Sequence, residues 1–227
     1  MSAGAGAAGE VLAVCVLHTE RDSGVRRVER TAIDKRPVDG PIRVTATGLA
    51  GDYVCDTKYH GGPFKAVYAY LEDEARRWEV ELGRELPPGW FGENLRLRGV
   101  PTSDAVIGER WRIGTTVLEV DSPRTPCRTF AVWAGEEHWV KRFTRRGDTG
   151  AYLRVVTEGS ISAGDTVHRH HVPAHGVTVR DLFTGRDSER CAALLAQQED
   201  LSPAAAQMAR RIVERAGIAE PEDKVTT

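Results

Sequence analysis

The chain has 227 residues, a formal net charge of −2 and a charged fraction of 28%. This length can bury a sizeable core, in one large domain or in one domain with an appendage. Because basic and acidic residues are interspersed, the sequence argues against nucleic-acid binding, which needs a clustered basic surface. No run approaches the roughly 20 apolar residues that span a bilayer, so we expect no membrane segment.

The chain begins with MSAGAGAAGE, a segment typical of a flexible leader. The apolar run VLAVCVL follows without a basic region before it, which favours a first strand over a signal peptide and predicts a cytoplasmic protein. Further short runs predict strands: RVTATGL, KAVYAY, ENLRLRGV, WRIGTTVLEV, YLRVV and DTVHRH. Gly, Pro and Asp separate these runs, as in a β-barrel or a β-sandwich.

Two helices are predicted among these strands. The segment LEDEARRWEVELG places four apolar residues on one helical face, Leu71, Ala75, Trp78 and Leu82. The second helix is predicted in EEHWVKRFTRR.

The composition changes after HVPAHG, where the sequence predicts three short helices. Thr178 opens a capping box for VRDLF, and Ser188 can cap ERCAALLAQQ. Ser202 followed by Pro203 starts a last helix, which Gly217 ends. These helices form a C-terminal appendage.

The chain contains four cysteines, Cys15, Cys55, Cys127 and Cys191, and none of them forms a CxxC pair. In a reducing compartment we expect free thiols rather than a disulfide framework. Cys15 lies in an apolar strand and Cys191 on a helix, so both are expected to fill the core. Cys55 and Cys127 lie in polar, loop-like surroundings.

The segment DSPRTPCRTF carries the strongest chemical signal. Pro123 and Pro126 restrict the backbone, so the loop that holds Cys127 is expected to be stiff. Arg124 and Arg128 flank the thiol, and a nearby guanidinium favours the thiolate, which binds metals and attacks carbon. The segment predicts either a metal and phosphate site or a surface loop with a buried structural cysteine.

Two further segments carry candidate ligand-binding groups. In HGGPFKAV, Gly61 and Gly62 allow a close backbone approach, and His60 and Lys65 present a ring and a cation on either side. A Gly-Gly pair before a strand is also an ordinary hairpin device. In FGENL, Asn94 offers a donor and an acceptor that could recognise a heterocycle edge.

A histidine tract lies where the strands end, at His168, His170, His171 and His175. Such tracts can bind zinc, but alternate residues of a strand point to opposite faces, so a zinc site is not the favoured interpretation. A P-loop, GxGxxG and HExxH are absent from the sequence, which disfavours nucleotide-binding and metalloprotease functions.

The motifs GLAGD, HGGPFKAV, PGWFGENL, IGERWRIG and PRTPC occur in this order. Together they resemble the MOSC domain, the C-terminal domain of molybdenum cofactor sulfurases, and in particular its YiiM-type branch. The resemblance implies a mainly β fold: a MOSC-type β-barrel with a few peripheral helices over residues 26–172 and a three-helix domain over 176–217. Residues 1–25 would be the leader and first strand.

The resemblance also implies molybdenum cofactor (molybdopterin) at the barrel mouth, with Cys127 as the protein ligand to molybdenum. The resemblance places Cys127, His60, Lys65, Asn94 and Arg124 in the site, and the residue patterns add Gly61, Gly62 and Arg128. Cys127 and His60 are predicted to act in catalysis, and the other six residues to bind the cofactor. YiiM-type proteins are associated with reducing small N-hydroxylated compounds such as hydroxylaminopurines, with electrons from a separate reductase. His60 would deliver a proton to the leaving oxygen, and the cations would neutralise the pterin phosphate.

Phe64 stands where an acidic residue is expected in GGPDKAV, which bears on the choice of substrate. Two alternatives stay open. The chain could carry cofactor or sulfur on Cys127 without turnover, or it could be a cysteine-nucleophile hydrolase or transferase with His60 as base. Pyridoxal phosphate is not expected, because this sequence shows no pyridoxal domain, and Lys65 as a Schiff-base lysine is not favoured.

Overall fold

The structure is a computed structural model that describes residues 8–26, 28–55, 61–198 and 200–218. Its strands are β1 Gly9–Leu17, β2 Arg21–Val25, β3 Val28–Thr31, β4 Lys35–Pro37, β5 Ile42–Thr45, β6 Gly48–Leu49, β7 Val67–Leu71, β8 Leu95–Arg98, β9 Arg110–Ile113, β10 Thr116–Pro123, β11 Ala151–Thr157, β12 Gly159–Ile161 and β13 Thr166–His171. Its α-helices are α1 Glu72–Leu82, α2 Arg128–Ala134, α3 Trp139–Arg146, α4 Val179–Thr184, α5 Ser188–Gln197 and α6 Pro203–Arg215, and a 3₁₀ turn spans Pro63–Lys65.

Seven strands close into a barrel in the order β13, β9, β10, β11, β7, β8 and β1, because β1 also pairs with β13. Neighbouring strands are antiparallel except β7 and β8, which run parallel and are joined by α1. Parallel neighbours need such a crossover connection. The predicted β-barrel with peripheral helices is therefore confirmed.

The barrel begins with β1, within the segment that the sequence assigned to the leader and first strand. β1 lies between β8 and β13, and its C-terminal residues also pair with β4. The predicted domain limits otherwise stay a prediction.

Two of the runs predicted as single strands are each divided into two strands. RVTATGL and WRIGTTVLEV each form two antiparallel strands, β5 with β6 and β9 with β10. The sequence did not predict β2, β3, β4 and β12, which are short and mostly polar and so show no apolar alternation.

Helix α1 forms where its apolar spacing predicted it. Three acidic residues occupy its first turn, where the helix dipole favours negative charge. The helix ends at Gly83, which adopts the left-handed conformation with φ 64°. Ala75 and Trp78 are buried, so the predicted apolar face packs against the barrel.

The core has two parts. Aliphatic side chains fill the barrel and continue under the C-terminal helices, where Leu194, Ala205 and Val213 are buried in the same cluster. Aromatic side chains fill the space between the barrel and α1, α2 and α3; they include Tyr68, Tyr70, Trp78, Trp90, Phe91, Phe130, Trp139 and Phe143.

The three predicted C-terminal helices are present, and two of them begin at the predicted caps. Helix α5 instead begins at Ser188 itself, because its N-cap is Asp187, whose side chain accepts from the amide of Arg190. Thr178 and Asp181 form a capping box at α4, and the Ser202 hydroxyl accepts from the amide of Ala205 at the start of α6. Among the described residues, no helix has the length and apolarity that crossing a membrane requires.

Candidate functional site

Cys127 lies between the end of β10 and the start of α2. It is the N-cap residue of α2, and the amide of Phe130 donates a hydrogen bond to its Sγ at 3.4 Å. The side chain is half-buried and lines a cavity. Of the two interpretations that the sequence left open, the buried structural cysteine is therefore not supported. A backbone donor at sulfur stabilises negative charge there.

This cavity, called the Asp52 cavity below, is lined by parts of the chain that are far apart in sequence. Its lining includes Arg30, Lys35, Asp52, Tyr53, Cys55, Gly61, Gly62, Lys65, Tyr68, Gly92, Asn94, Arg124, Cys127, Thr129 and Tyr152. The barrel thus brings the GLAGD, HGGPFKAV, FGENL and PRTPC motifs together. Five of the predicted cofactor-binding residues line it: Gly61, Gly62, Lys65, Asn94 and Arg124.

Arg124 is buried and fixes the cysteine loop in place. Its Nη1 donates to the carbonyl of Phe91, in the loop that carries the FGEN motif. Its guanidinium lies 4.0 Å from the ring centroid of Phe130 and 5.2 Å from that of Tyr68. Such cation–π contacts are strengthened by burial. Arg124 therefore joins two loops of the site and places a positive charge in the cavity wall.

A buried ion pair between Lys35 and Asp52 lines the same cavity, and neither residue is among those predicted from the sequence. The side chains are only 6% and 8% exposed. Burial lowers the pKa of Lys35, and the charge of Asp52 opposes that shift. Asp52 also accepts from the backbone amide of Leu17 at 2.9 Å. Asp52 is the last residue of GLAGD, so the motif itself held the signal.

Asn94 uses its side-chain amide on protein groups. Its Oδ1 accepts from the amide of Tyr68 at 3.0 Å, and its Nδ2 donates to the carbonyl of Cys15 at 3.2 Å and to Asp52 Oδ2 at 2.7 Å. Asn94 therefore holds the strands and Asp52 in register. Because its donors are engaged by protein, the structure offers no support for reading a heterocycle edge, and its role in cofactor binding stays a prediction.

The Gly-Gly turn shapes one wall of the Asp52 cavity. Gly62 has φ 97°, a backbone conformation that residues other than glycine rarely adopt. It precedes the 3₁₀ turn that carries Lys65. The Lys65 Nζ lies 5.6 Å from the ring centroid of Tyr152. Burial lowers the pKa of Lys65, and the charge of Asp121 opposes that shift. The turn thus presents a half-buried cation to the cavity.

The other residues that the sequence singled out differ in their positions. His60 falls outside them, so its predicted role as proton donor stays a prediction. Phe64 is half-buried and does not line the Asp52 cavity. Cys15 and Cys191 are buried and free, as predicted. Cys55 lines the cavity, and burial raises the pKa of its thiol.

Arg128, the first residue of α2, is exposed and does not line the Asp52 cavity. It lines a neighbouring cavity, called the Arg128 cavity below, together with Val25, Val28, Lys65, Pro123, Thr125, Pro126, Cys127, Thr129 and Tyr152. The structure therefore separates the two arginines that flank the thiol. Arg124 is buried beneath one cavity and Arg128 borders the other.

The histidine tract forms no metal site with the residues that the structure describes. His168 and His170 are exposed on β13, whereas His175 is buried. The His175 ring accepts from the amide of Val177 at 3.1 Å and lies 3.3 Å from Gln198 Oε1. Within the described ranges, no group of three or more His, Cys, Asp or Glu side chains could hold a metal ion.

Comparisons with known proteins decide the family. The model of the MOSC domain matches residues 56–168. The chain is 34% identical over 150 residues to "Uncharacterized protein YflK" of Bacillus subtilis (strain 168), covering 66% of this chain and 68% of YflK. The chain belongs to the MOSC domain family.

Two other relatives bear on this MOSC protein. It is 31% identical over 137 residues to "Protein YiiM" of Escherichia coli (strain K12), covering 59% of this chain and 61% of that protein. It is 35% identical over 141 residues to a protein named "Reductase" from Gibberella moniliformis, covering 60% of this chain but 25% of that protein. The match therefore reaches one part of the fungal reductase.

A solved structure of YiiM from Geobacillus stearothermophilus shares the fold. It superposes with a TM-score of 0.73 at 23% identity, over 90% of this chain and 99% of that one. The match includes the C-terminal helices as well as the barrel, since it extends over most of both chains. The predicted resemblance to YiiM-type MOSC proteins is confirmed, and the family is associated with molybdenum cofactor.

Proposed function

We propose that this MOSC protein is a molybdenum-cofactor-dependent oxidoreductase that reduces small N-hydroxylated molecules with electrons from a separate reductase. The observation that carries the proposal is a half-buried thiol, Cys127, in the wall of a cavity that also presents Lys65 and Arg124. The reaction is R–NH–OH + 2 e⁻ + 2 H⁺ → R–NH₂ + H₂O. A protein named reductase among the relatives supports the redox class.

The lining of the Asp52 cavity fits the cofactor in its donor chemistry. A thiolate is a soft ligand suited to molybdenum, and Cys127 would supply it. Cationic side chains suit the pterin phosphate, and the carboxylate among the described lining residues, Asp52, is already paired with Lys35. The described residues offer no three-ligand metal cluster, so the ion would bring most of its ligands with it.

When bound, molybdenum cofactor supplies two-electron oxygen-atom transfer chemistry. The chain's own residues hold and orient it. Cys127 would bind the metal, and the hydrogen bond from Phe130 would keep Sγ directed into the cavity. Lys65 holds its proton less tightly than a surface lysine, because burial lowers its pKa. Lys65 Nζ could therefore donate a proton as well as neutralise phosphate.

The ligand assignment is tested by metal content. The wild-type protein and the Cys127→Ala and Cys55→Ala variants are produced in a host that makes molybdenum cofactor, and molybdenum and pterin fluorescence are measured per chain. We expect Cys127→Ala to lose molybdenum and Cys55→Ala to keep it, although both thiols line the same cavity. Equal molybdenum in wild type and Cys127→Ala would refute the assignment.

Turnover separates a reductase from a carrier. The loaded protein is supplied with an artificial electron donor and with 6-hydroxylaminopurine or benzamidoxime, and amine or amidine formation is followed. We expect turnover that Cys127→Ala abolishes. If cofactor passes to an acceptor enzyme while neither substrate is reduced, the protein is a carrier and the reductase proposal is wrong.

A further inference from the structure

Two cavities meet at Cys127. The Asp52 cavity and the Arg128 cavity share five lining residues, Val28, Lys65, Cys127, Thr129 and Tyr152. The thiol loop therefore forms part of both walls. A group bound through Cys127 in the Asp52 cavity would be reached from the Arg128 cavity.

The Arg128 cavity is positively charged and partly apolar. Its lining carries the cations of Arg128 and Lys65, and no aspartate or glutamate is present among its described lining residues. Val25, Pro123 and Pro126 provide apolar surface in the same wall. This combination suits a small organic molecule that carries a negative charge.

Arg128 differs from most arginines of this protein. Arg110, Arg154 and Arg180, for example, each pair with a carboxylate at 3.0 Å or less. For Arg128 the described part of the chain shows no ion pair within 4.0 Å, and its side chain is exposed. A guanidinium without a carboxylate at a cavity edge can bind phosphate or carboxylate in a bidentate manner.

We propose that the Arg128 cavity is the substrate site and that Arg128 makes it selective for N-hydroxylated molecules that carry a phosphate or a carboxylate. This proposal rests on the proposed function, because it assumes that the N–OH group of the substrate reacts beside Cys127, where the two cavities meet. Arg128 then acts on specificity. This role differs from the one predicted from the sequence, which is binding of the pterin phosphate.

The first test compares charged and neutral substrates. On cofactor-loaded protein, kcat/KM is measured for benzamidoxime and 4-carboxybenzamidoxime, and for N6-hydroxyadenosine and its 5′-monophosphate. We expect the anionic member of at least one pair to be preferred, and Arg128→Gln to lower that preference about tenfold, the effect of losing one charge-assisted contact. Arg128→Lys should restore part of it. The pair that responds identifies carboxylate or phosphate as the recognised group.

Arg145→Gln is the matched control, because Arg145 is an exposed arginine on α3 that lines neither cavity. It should keep the wild-type preference. If Arg128→Gln keeps the preference too, or if wild type prefers neither anion, the inference is wrong.

A second readout does not depend on turnover. Binding of adenosine 5′-monophosphate against adenosine, and of 4-amidinobenzoate against benzamidine, is measured by calorimetry on the same preparations. If wild type prefers the anion and Arg128→Gln removes that preference, the Arg128 site is supported even when no substrate is reduced. In that case only the proposed function fails. If substrates are reduced but no anion is preferred, the protein is a reductase and the proposed role of Arg128 in selectivity is wrong.

Discussion

The Asp52 cavity depends on a charge pair that lies almost out of contact with water. Lys35 and Asp52 are 6% and 8% exposed, and Asp52 receives further hydrogen bonds from Leu17 and Asn94. A buried pair is a weak net stabiliser, but removing one partner leaves the other charge uncompensated, at a cost of roughly 3–5 kcal/mol. The shape of the cavity wall is therefore tied to the stability of the fold.

We predict that Asp52→Asn lowers the free energy of unfolding by about 3 kcal/mol, because the neutral amide cannot compensate the buried Lys35 ammonium. Urea denaturation at pH 7 measures the loss. The control is Glu10→Gln, which breaks the Arg98–Glu10 pair, where the two side chains are 55% and 48% exposed. It should cost less than about 1 kcal/mol. Losses of equal size in both variants would show that the Lys35 charge is tolerated without its partner.

The sequence predicted site residues that lie in a recognisable motif. It did not predict the ion pair whose two residues are brought together by the fold. Cys127 and Lys65 lie in the PRTPC and HGGPFKAV motifs, and both line the Asp52 cavity. Lys35 lies in the three-residue strand β4, and its partner Asp52 is 17 residues further along the chain. A lysine in a short polar segment gives no sign of being buried, because its partner is brought to it by the barrel.

At the scale of secondary-structure elements, the short helices α2 and α3 are held by aromatic packing. Trp139 on α3 is 1% exposed, and its ring centroid lies 4.6 Å from that of Trp78 and 5.4 Å from that of Phe130 on α2. Helices of this length are not stable alone in water, so packing must hold them. Because α2 begins directly after Cys127, the aromatic cluster also holds the thiol in position.

We predict that Trp139→Ala lowers the free energy of unfolding by about 3–5 kcal/mol through the cavity that it leaves. Trp139→Phe should cost less, because it keeps a ring and removes a buried Nε1 that has no hydrogen-bond partner within the described residues. Denaturation gives the stabilities, and the rate of Cys127 alkylation reports the position of the thiol. Val140→Ala, at a 40% exposed position of the same helix, should change neither. Equal losses in the Ala and Phe variants would contradict the packing argument.

The helices differed in how far the sequence predicted them. Apolar spacing placed α1, and caps placed α4 and α6, since those signals are local. For α5 the N-cap is Asp187, one residue before the predicted Ser188. Helix α2 was missed because RTFAVWA is only seven residues long and its N-cap is a cysteine. Aromatic residues such as its Phe130 and Trp133 are enriched in strands, so local propensity does not indicate a helix here and tertiary packing decides the structure.

At the scale of the whole molecule, polar contacts join the C-terminal helices to α1, to the loops that precede β9 and β11, and to strand β10. Arg180 of α4 lies 2.6 Å from Asp104, 3.0 Å from Asp148 and 3.4 Å from Glu74. The Ser202 hydroxyl at the start of α6 donates to Asp121 of β10 at 2.9 Å. These contacts, with the shared apolar core, make barrel and helices one packed unit.

We predict that Arg180→Met lowers the free energy of unfolding by about 3 kcal/mol, because Asp148 and Glu74 are buried and lose a compensating charge. Hydrogen exchange should also become faster in α4 and α6, as the contact between the helices and the barrel weakens. Arg190→Met is the control, since Arg190 pairs with Asp187 and its side chain is 43% exposed. An equal effect of the two variants would mean that the apolar core alone holds the helices.

The same contact region gives the fold a pH dependence. Burial, and then the negative charge of Asp148, raise the pKa of Glu74 from 4.5 to about 7. Below pH 4.5 Glu74 is protonated in both the folded and the unfolded chain, whereas between 4.5 and about 7 only the folded chain keeps the proton. The contribution of Glu74 to stability is therefore lost as pH rises through this window.

We predict that Glu74→Gln removes roughly 2 kcal/mol of the stability loss between about pH 5 and 7.5, since one pKa unit corresponds to about 1.4 kcal/mol and this range covers most of the interval between the two pKa values. Urea denaturation of wild type and variant at about pH 5, 6 and 7.5, which span most of that window, measures the slope. The wild type should lose more stability than Glu74→Gln as pH rises, and Glu85→Gln, at an exposed position, should behave as wild type. Parallel pH profiles for all three proteins would show that Glu74 is ionised across the range, with Arg180 and Arg77 compensating its charge in full.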